Sequence, residues 1–529
     1  GNAVKQNQTK EHHTLTEMFE SSCITYECYP AIICNDAIVS YAKMGELSRN
    51  IAAWLQNEAF FTRGDCIAIM LPNSLQYAIS VMGVLRSGMV VVNINPNSTR
   101  YEIEKYMMDC CPKAIITLPE LKEKCPEGDN LYIIEAGMDD FPDTPDECLS
   151  DSYEKGNLTT LEKIIFLGQS CSFTAPEVKQ NALAFLQYTG GTSGIPKAAM
   201  LTHGNIAANL NQLHHVCGEY LTKGKERIVT ALPLYHIFSL TVNFLYFFSI
   251  GAVNIFIRDA RKIDDVISAM MKYKFTAITG VNTLYNALLN HHKFTELDFS
   301  AVNFCVSGGT ELVRPVAEKW FGMTGKPILA GYGMTECSPL VSVQSFATTQ
   351  CLSNVGCAVT ETQIKLVDAD GNTVSPGEKG EVAVKGPQVM SGYWKRDGET
   401  HEALRDGWYF TGDLAVQDRQ GVITIQGRKK DIIIVSGFNV YPAEIEAVVL
   451  QHPSVKEAVA IGVQDDVTGE AIKLFIVPSD ITPMESDIRD YCRKFVTSYK
   501  VPKHIEYIDA LPKSGVGKVL RYKLKGISE

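Results

Sequence analysis

The chain has 529 residues, with 49 Lys and Arg against 60 Asp and Glu and a formal net charge of −11; no Lys/Arg run builds the basic face that nucleic acid requires, which excludes that partner. Hydrophobic content of 45% and charged content of 21% are ordinary globular values, and the length exceeds what one core organises, so roughly three to four structural units are expected. Fifteen cysteines without a C-x-x-C pair point to thiols in a reducing cytoplasm, excluding a disulfide frame or zinc site, and Gly1-Asn-Ala-Val-Lys-Gln-Asn lacks the apolar core of a secretory signal.

From residue 39 to 116 strand and helix patterns alternate. Asp65–Leu71 and Met89–Ile94 read as strands, Leu75–Ser87 and Tyr101–Cys110 as helices, which predicts a parallel sheet covered by helices. Between Leu118 and Ala175 the pattern lapses into Pro, Asp, Glu and Gly, as in Phe141–Glu147, and a surface loop is expected. The apolar run Ala182–Tyr188 then leads into Thr189-Gly-Gly-Thr-Ser-Gly-Ile-Pro-Lys197, and Thr202–Asn209 follows, giving a strand, loop, helix reading. In that loop Gly190, Gly191 and Gly194 permit backbone turns that aim N–H groups at an anion. Thr189, Thr192 and Ser193 add hydroxyl donors and Lys197 adds positive charge, so the segment suits phosphates. Its spacing is not that of a P-loop NTPase.

Ile237–Ile257 is uncharged over about the length a bilayer demands. Asn243 and Asn254 within it, and the break at Ser249-Ile-Gly251, argue instead for a buried helix followed by a buried strand, in a large core or the wall of an apolar channel. Alternation persists to Val341. Gln363–Val367, Gly380–Lys385 and Gly421–Gln426 then suggest a small antiparallel sheet or barrel, and residues 431–529 suffice for a compact domain.

Further polar, glycine-bearing segments punctuate the chain: Ser307-Gly-Gly-Thr-Glu311, Gly331-Tyr-Gly-Met-Thr-Glu-Cys-Ser-Pro339, Tyr409-Phe-Thr-Gly-Asp413, Gly427–Pro442 and Pro512-Lys-Ser-Gly-Val-Gly-Lys-Val-Leu-Arg521. Taken with the phosphate loop, this set resembles the adenylate-forming superfamily of acyl-CoA synthetases, luciferases and peptide-synthetase adenylation domains, from about Leu15 to Leu524. Leu186–Thr192, Leu232–Phe238, Lys385–Met390 and Gly437–Pro442 are most similar to bacterial long-chain fatty acyl-CoA ligases.

The resemblance implies an α/β fold with a large N-terminal domain, residues 1–429, made of two α/β subdomains plus a small β-barrel. A small mobile α+β C-terminal domain, residues 430–529, would swing about a hinge near Lys430. It implies a two-step reaction using ATP, Mg²⁺ and CoA: a fatty-acid carboxylate attacks the α-phosphorus, releasing pyrophosphate, and the CoA thiol then displaces AMP. An anion attacking a triphosphate needs charge stabilisation, which the resemblance assigns to the mobile Lys518. The loop Thr189–Lys197 would hold the β- and γ-phosphates, and Glu336 would coordinate Mg²⁺. Gly308, Gly309 and Thr310 would present backbone to adenine, with Tyr332, Gly333 and Thr335 beside them; Asp413 and Arg428 would hold the ribose. His236 would lie beside the acyl carboxylate, and Gly437 would line the pantetheine tunnel.

The family loop commonly reads Thr-Ser-Gly-Thr-Thr-Gly-x-Pro-Lys-Gly; here Gly190, Ser193 and Ala198 depart from it, and the Ala198 methyl is expected near backbone that approaches the nucleotide. An aryl-acid CoA ligase, a ligase loading a separate carrier protein and a silent acyl or nucleotide binder are the competing readings. Homodimer formation and peripheral contact with the cytoplasmic face of the inner membrane stay open.

Overall fold

Strand and helix periodicities between residues 65 and 110 give the first layer of a computed structural model. It describes residues 11–138, 157–189, 196–309, 312, 314–429, 432–440, 442–512, 519 and 521–528, with side chains for all of these except 315, 426–428, 443, 447, 522, 527 and 528. Cys66–Met70 and Val90–Asn93 are fully buried parallel strands, joined by the helix Leu75–Arg86. The next helix, Arg100–Cys110, starts at a capping box in which Thr99 and Glu102 satisfy each other's backbone N–H groups.

These strands belong to a seven-stranded sheet ordered Leu158–Thr160, Tyr132–Glu135, Ala114–Thr117, Cys66–Met70, Val90–Asn93, Leu183–Thr189, Lys197–Thr202. All neighbours are parallel except the last pair. Two expectations are corrected here. The region after Leu118 is not only loop: it adds two strands to the sheet edge and the helix Leu161–Gly168, which lies against Tyr41–Asn57 so closely that a Cβ on Gly168 would sit 1.9 Å from the Asn50 carbonyl oxygen. The phosphate loop does not run from strand to helix. It joins the antiparallel strands Leu183–Thr189 and Lys197–Thr202, and the helix His203–Cys217 begins after the second, where Thr202 and Asn205 form a capping box.

A second sheet has nine strands in the order Cys357–Ala358, Leu340–Val343, Leu329–Gly333, Phe304–Ser307, Ala277–Gly280, Arg227–Thr230, Val253–Phe256, Pro30–Cys34, Ala37–Ser40. The long apolar segment supplies part of its cover. Ser239–Tyr246 winds as a fully buried π-helix, continues into Phe247–Ser249, and returns as the buried strand Val253–Phe256. The asparagines that spoke against a bilayer span are tied into a buried network: Thr230 donates to Asn254 Oδ1 at 2.7 Å, Asn243 donates to Thr230 Oγ1 at 3.2 Å, and Thr279 donates to Asn243 Oδ1 at 2.8 Å. No helix among the described residues is long and apolar enough to cross a membrane.

A curled five-stranded antiparallel sheet follows, built from Gln363–Val367, Gly380–Lys385, Leu404–Arg405, Trp408–Gln417 and Ile423–Arg428. The last sheet pairs Phe438–Val440, Ile433–Val435, Gly469–Pro478 and Val455–Asp465, with His504–Tyr507 parallel to Gly469–Pro478. Apolar clusters divide at the same point along the chain. The largest ends at Ile423, while Ile433, Val440, Leu474 and Ile476 form one cluster, and Ile461, Phe475, Val477, Leu511 and Leu524 form another from alternate residues of the same strands.

Candidate functional site

Strand ends and turns converge on a cavity of about 960 Å³, lined by Lys197, His236, Gly308, Gly309, Tyr332, Gly333, Thr335, Glu336, Asp413 and Gly437 among others. One stretch of its wall is apolar and includes Val242, Phe304, Val306, Val343 and Phe346. Open α/β sheets offer such a crevice beyond the carboxyl ends of their strands, and Gly308 and Gly309 directly follow the strand Phe304–Ser307. A Cβ on Gly308 would sit 2.9 Å from the Phe238 ring, and Gly309 has φ +80°, so both positions demand glycine.

Tyr332, in the strand Leu329–Gly333, donates its hydroxyl to Asp413 Oδ2 at 2.6 Å. Burial, then the neighbouring Asp413 carboxylate, hold the Tyr332 pKa well above the ordinary phenol value, so it stays a donor. Asp413 is fixed from its backbone as well: its N–H donates to Thr411 Oγ1 at 3.1 Å, and Glu381 Oε2 accepts from the Gly412 N–H at 3.0 Å. Lys429 donates to the other Glu381 oxygen at 3.1 Å. Arg428 stands opposite Asp413 in the strand register, which places the two expected ribose residues on adjacent strands.

Glu336 sits in the short 3₁₀ turn Thr335–Cys337 and is 9% exposed. Its Oε2 accepts from Tyr393 at 2.8 Å and from Tyr409 at 2.7 Å. Burial, then Glu336 itself, raise the Tyr409 pKa well above the ordinary value. The Lys197 ammonium lies 4.7 Å from the centre of the Tyr393 ring, so one tyrosine connects the loop lysine to the buried carboxylate. Among the described residues no trio of His, Cys, Asp or Glu could hold a metal ion. A lone carboxylate fits Mg²⁺, which takes its other ligands from phosphates and water.

His236 is half-buried at the cavity wall, and its pKa is pushed down to about 4 by desolvation. Its Nδ1 accepts from the Phe238 N–H at 3.3 Å, which assigns the ring proton to Nε2 and makes that atom a neutral donor. The Phe438 ring stands edge-on to His236 at 6.3 Å and stacks on Tyr499 at 4.4 Å. Gly437, beside it, occupies a hairpin turn in which Ser436 and Gly437 both have positive φ, 51° and 85°. A Cβ there would meet Val281 Cγ1 at 3.0 Å.

Thr189 closes the loop hairpin by donating to the Lys197 carbonyl at 3.3 Å. Gly190, Gly191, Thr192, Ser193, Gly194, Thr310, Lys430 and Lys518 lie outside the described residues, as does the Arg428 side chain. Ala198 differs from expectation: it is fully buried and packs in the cluster with Leu186, Val90 and Cys66, so its methyl faces the sheet's core. The sequence reading missed Tyr393, Glu381 and Lys429. Tyr409 was within reach, since it opens the segment that ends at Asp413.

Residues 19–394 match the AMP-binding enzyme family and residues 444–518 the AMP-binding enzyme C-terminal domain. The chain is 44% identical to a long-chain-fatty-acid–CoA ligase of Escherichia coli O157:H7, over 97% of this chain and 94% of the relative. It is 41% identical to a protein of the same name from Haemophilus influenzae, over 98% and 95%. Among solved structures, an o-succinylbenzoate CoA synthetase from Bacillus subtilis, a double mutant bound to a product analogue, superposes with a TM-score of 0.82 at 26% identity, covering 96% of this chain and 97% of that one.

Proposed function

We propose, on the premise that the chain belongs to the AMP-binding enzyme family, that this cavity accommodates both halves of a ligase reaction. The reaction is ATP-dependent ligation of a long-chain fatty acid to CoA through an acyl-adenylate. The observation that carries the site assignment is the cavity's two-part lining: Tyr332, Glu336 and Asp413 supply groups for a magnesium nucleotide, and Val242, Phe304 and Phe346 supply an apolar wall for an alkyl chain.

In the first step the fatty-acid carboxylate attacks the α-phosphorus and pyrophosphate leaves. Asp413, held by Tyr332, accepts from the ribose hydroxyls, and Arg428 donates to the same sugar. Glu336 would hold Mg²⁺, which would supply charge that offsets that of the phosphates. His236 Nε2–H donates to a carboxylate oxygen without adding a charge, because burial keeps the ring neutral. Lys518 bridges the carboxylate and the α-phosphate, and Lys197 with residues 189–194 holds the leaving pyrophosphate. In the second step the CoA sulfur attacks the acyl carbonyl and AMP departs, with Gly437 keeping the pantetheine path open.

Residues 1–429 and 430–529 act as two bodies, with Lys430 as the hinge. Gly437 lies in the turn between strands that feed one apolar cluster of the last sheet, through Val435 and Val440, whereas Val519, next to Lys518, packs on the other cluster. A domain that presents Gly437 to the cavity therefore has to turn before it presents Lys518. The cysteine pattern supports a cytoplasmic location, and the water-insoluble substrate favours peripheral contact with the membrane's inner face.

The test is a panel of carboxylates with ATP, Mg²⁺ and CoA, following AMP release and thioester formation. Turnover of fatty acids above cinnamate- or benzoate-like acids is expected. Faster turnover of an aryl acid would reject the alkyl assignment, and AMP release with a carrier protein but not with CoA would reject the acceptor.

A further inference from the structure

The contact between the two bodies contains a buried charge cluster that the reaction steps leave unused. Lys500, in the turn Ser498–Lys500, holds its ammonium 3.1 Å from Glu102 Oε2 and 2.9 Å from Glu444 Oε1, and Lys500 and Glu102 are each 6% exposed. Glu444 belongs to Lys500's own domain, on the helix Pro442–Val449. Glu102 lies 398 residues away in sequence, on the helix Arg100–Cys110 of the first sheet. Burial works against the ammonium, but Tyr499, Glu444 and Glu102 outweigh it and hold the Lys500 pKa above the ordinary value, so the group is charged at any working pH. Around it Thr99 donates to the Phe495 carbonyl at 2.7 Å, and the Tyr101 and Phe495 rings meet edge-on at 5.2 Å.

This cluster is mechanically continuous with the site. Tyr499, the neighbour of Lys500, stacks on Phe438, and Phe438 stands against His236. On the other side, Tyr106 and Asp109 follow Glu102 on one helix face. Tyr106 packs on Tyr188 at 4.7 Å, and the Tyr188 hydroxyl donates to Asp109 at 2.6 Å, one residue before the phosphate loop begins.

We infer that Glu102 and Lys500 are positioning residues for thioester formation: their buried ion pair latches the C-terminal domain in the pose that sets Gly437 and Phe438 against the acyl end of the cavity. The inference rests on the ligase reading given above. A buried pair is a poor source of net stability, because desolvation offsets its attraction, but it penalises any arrangement that leaves one charge alone. Glu444 stays beside Lys500 when the domain turns, since both move together. Glu102 does not, so only the Glu102 contact distinguishes one pose from the other. The latch is therefore strong enough to fix the docked pose and, with Glu444 retained, weak enough to open.

Glu102→Gln separates this role from the residue's part in starting its helix. Glu102 Oε1 accepts from the Thr99 N–H at 3.1 Å, and glutamine serves equally in a capping box, so the helix keeps its cap while Lys500 loses a charge partner. The full-length protein is assayed in two halves: pyrophosphate release from ATP and palmitate without CoA, and palmitoyl-CoA formation from supplied palmitoyl-adenylate and CoA. Adenylation is expected within about twofold of wild type, and thioester formation is expected to fall roughly 5–150-fold, the usual span of a coupling between two states. Lys500→Gln should give the same selective loss, and the double variant should be no worse than either single, because both remove one contact. Loss of both half-reactions in parallel, or of neither, overturns the latch while leaving the ligase reading intact. A wild-type protein that forms no adenylate from any fatty acid overturns both.

Discussion

The hydroxyl of Tyr332 lies 2.6 Å from Asp413 Oδ2 and joins the second sheet to the curled one in the wall of the cavity. Asp413 thus accepts from a half-buried donor in addition to the proposed ribose hydroxyls, and its carboxylate plane is set before ligand arrives. Tyr332→Phe keeps the ring that is proposed to face adenine and removes only that restraint. A hydrogen bond to a charged group contributes about 1.5–3 kcal/mol, part of which water restores. The expected outcome is a roughly tenfold rise in KM for ATP with kcat within about threefold; a fall in kcat with unchanged KM would assign Tyr332 to the chemical step instead.

Glu336 offers a second comparison, since one oxygen is held by two tyrosines. Glu336→Gln preserves shape and removes the charge that the proposed Mg²⁺ site would use, so adenylation is expected to drop by about 10² or more. Tyr409→Phe removes one of two donors and leaves the charge, so a loss of about tenfold or less is expected. Pyrophosphate release measured across a Mg²⁺ titration distinguishes the cases: the tyrosine variant should be partly rescued by excess metal, and the glutamine variant should not. Equal rescue of both would remove Glu336 from the metal site.

The parts of the fold that were legible in the sequence are those with strong local periodicity, such as Cys66–Met70 and the helix after it. The strand Lys197–Thr202 was not, because Lys-Ala-Ala-Met-Leu-Thr has neither β-branched enrichment nor alternation, and it becomes a strand by pairing with Leu183–Thr189. The strands Tyr132–Glu135 and Leu158–Thr160 were hidden for a different reason. They are short, lie at a sheet edge and are embedded in loop-forming composition. At the site, the motifs named Glu336 and Asp413 but not what holds them. Tyr393, Glu381 and the pair Glu102–Lys500 act through distant partners, and nothing local in a sequence marks a tyrosine that will face a carboxylate 57 residues away.

Two desolvated histidines predict how stability depends on pH. Burial lowers the pKa of both His203 and His236 from 6.5 to about 4. Between these values the unfolded chain binds protons that the folded chain does not, so stability rises with pH across that window and falls as pH drops from about 6.5 to about 4. Each group accounts for about 3 kcal/mol of this change at most. His203→Asn can still accept from the Leu15 N–H, which now meets Nδ1 at 3.3 Å, and should flatten the slope of unfolding free energy between pH 4 and 6.5. A variant with the wild-type slope would show that His203 protonates freely in the folded protein.

Opposite defects at Lys518 and Gly437 are the strongest prediction for two poses. Lys518, if it meets the attacking carboxylate and the α-phosphate together, acts only in adenylation. Removing one preorganised charge contact lowers a rate by roughly 10²–10³, and this lysine faces two anions, so Lys518→Ala should slow adenylate formation by at least that much. Supplied with acyl-adenylate, the same variant should form thioester near the wild-type rate. Gly437→Ala should do the reverse. Its φ of 85° is costly for alanine, and the added Cβ would sit 3.0 Å from Val281 Cγ1, so the hairpin cannot approach the cavity as closely. The contact with Val281 is relieved once the domain has turned away, while the φ cost stays within the hairpin in either pose and does not touch the adenylation step, so adenylation should persist within about threefold of wild type. The pair is read by the two half-reaction assays on both variants. If both half-reactions fail together in either variant, a single arrangement serves the whole reaction, and rotation about residue 430 has no part in it.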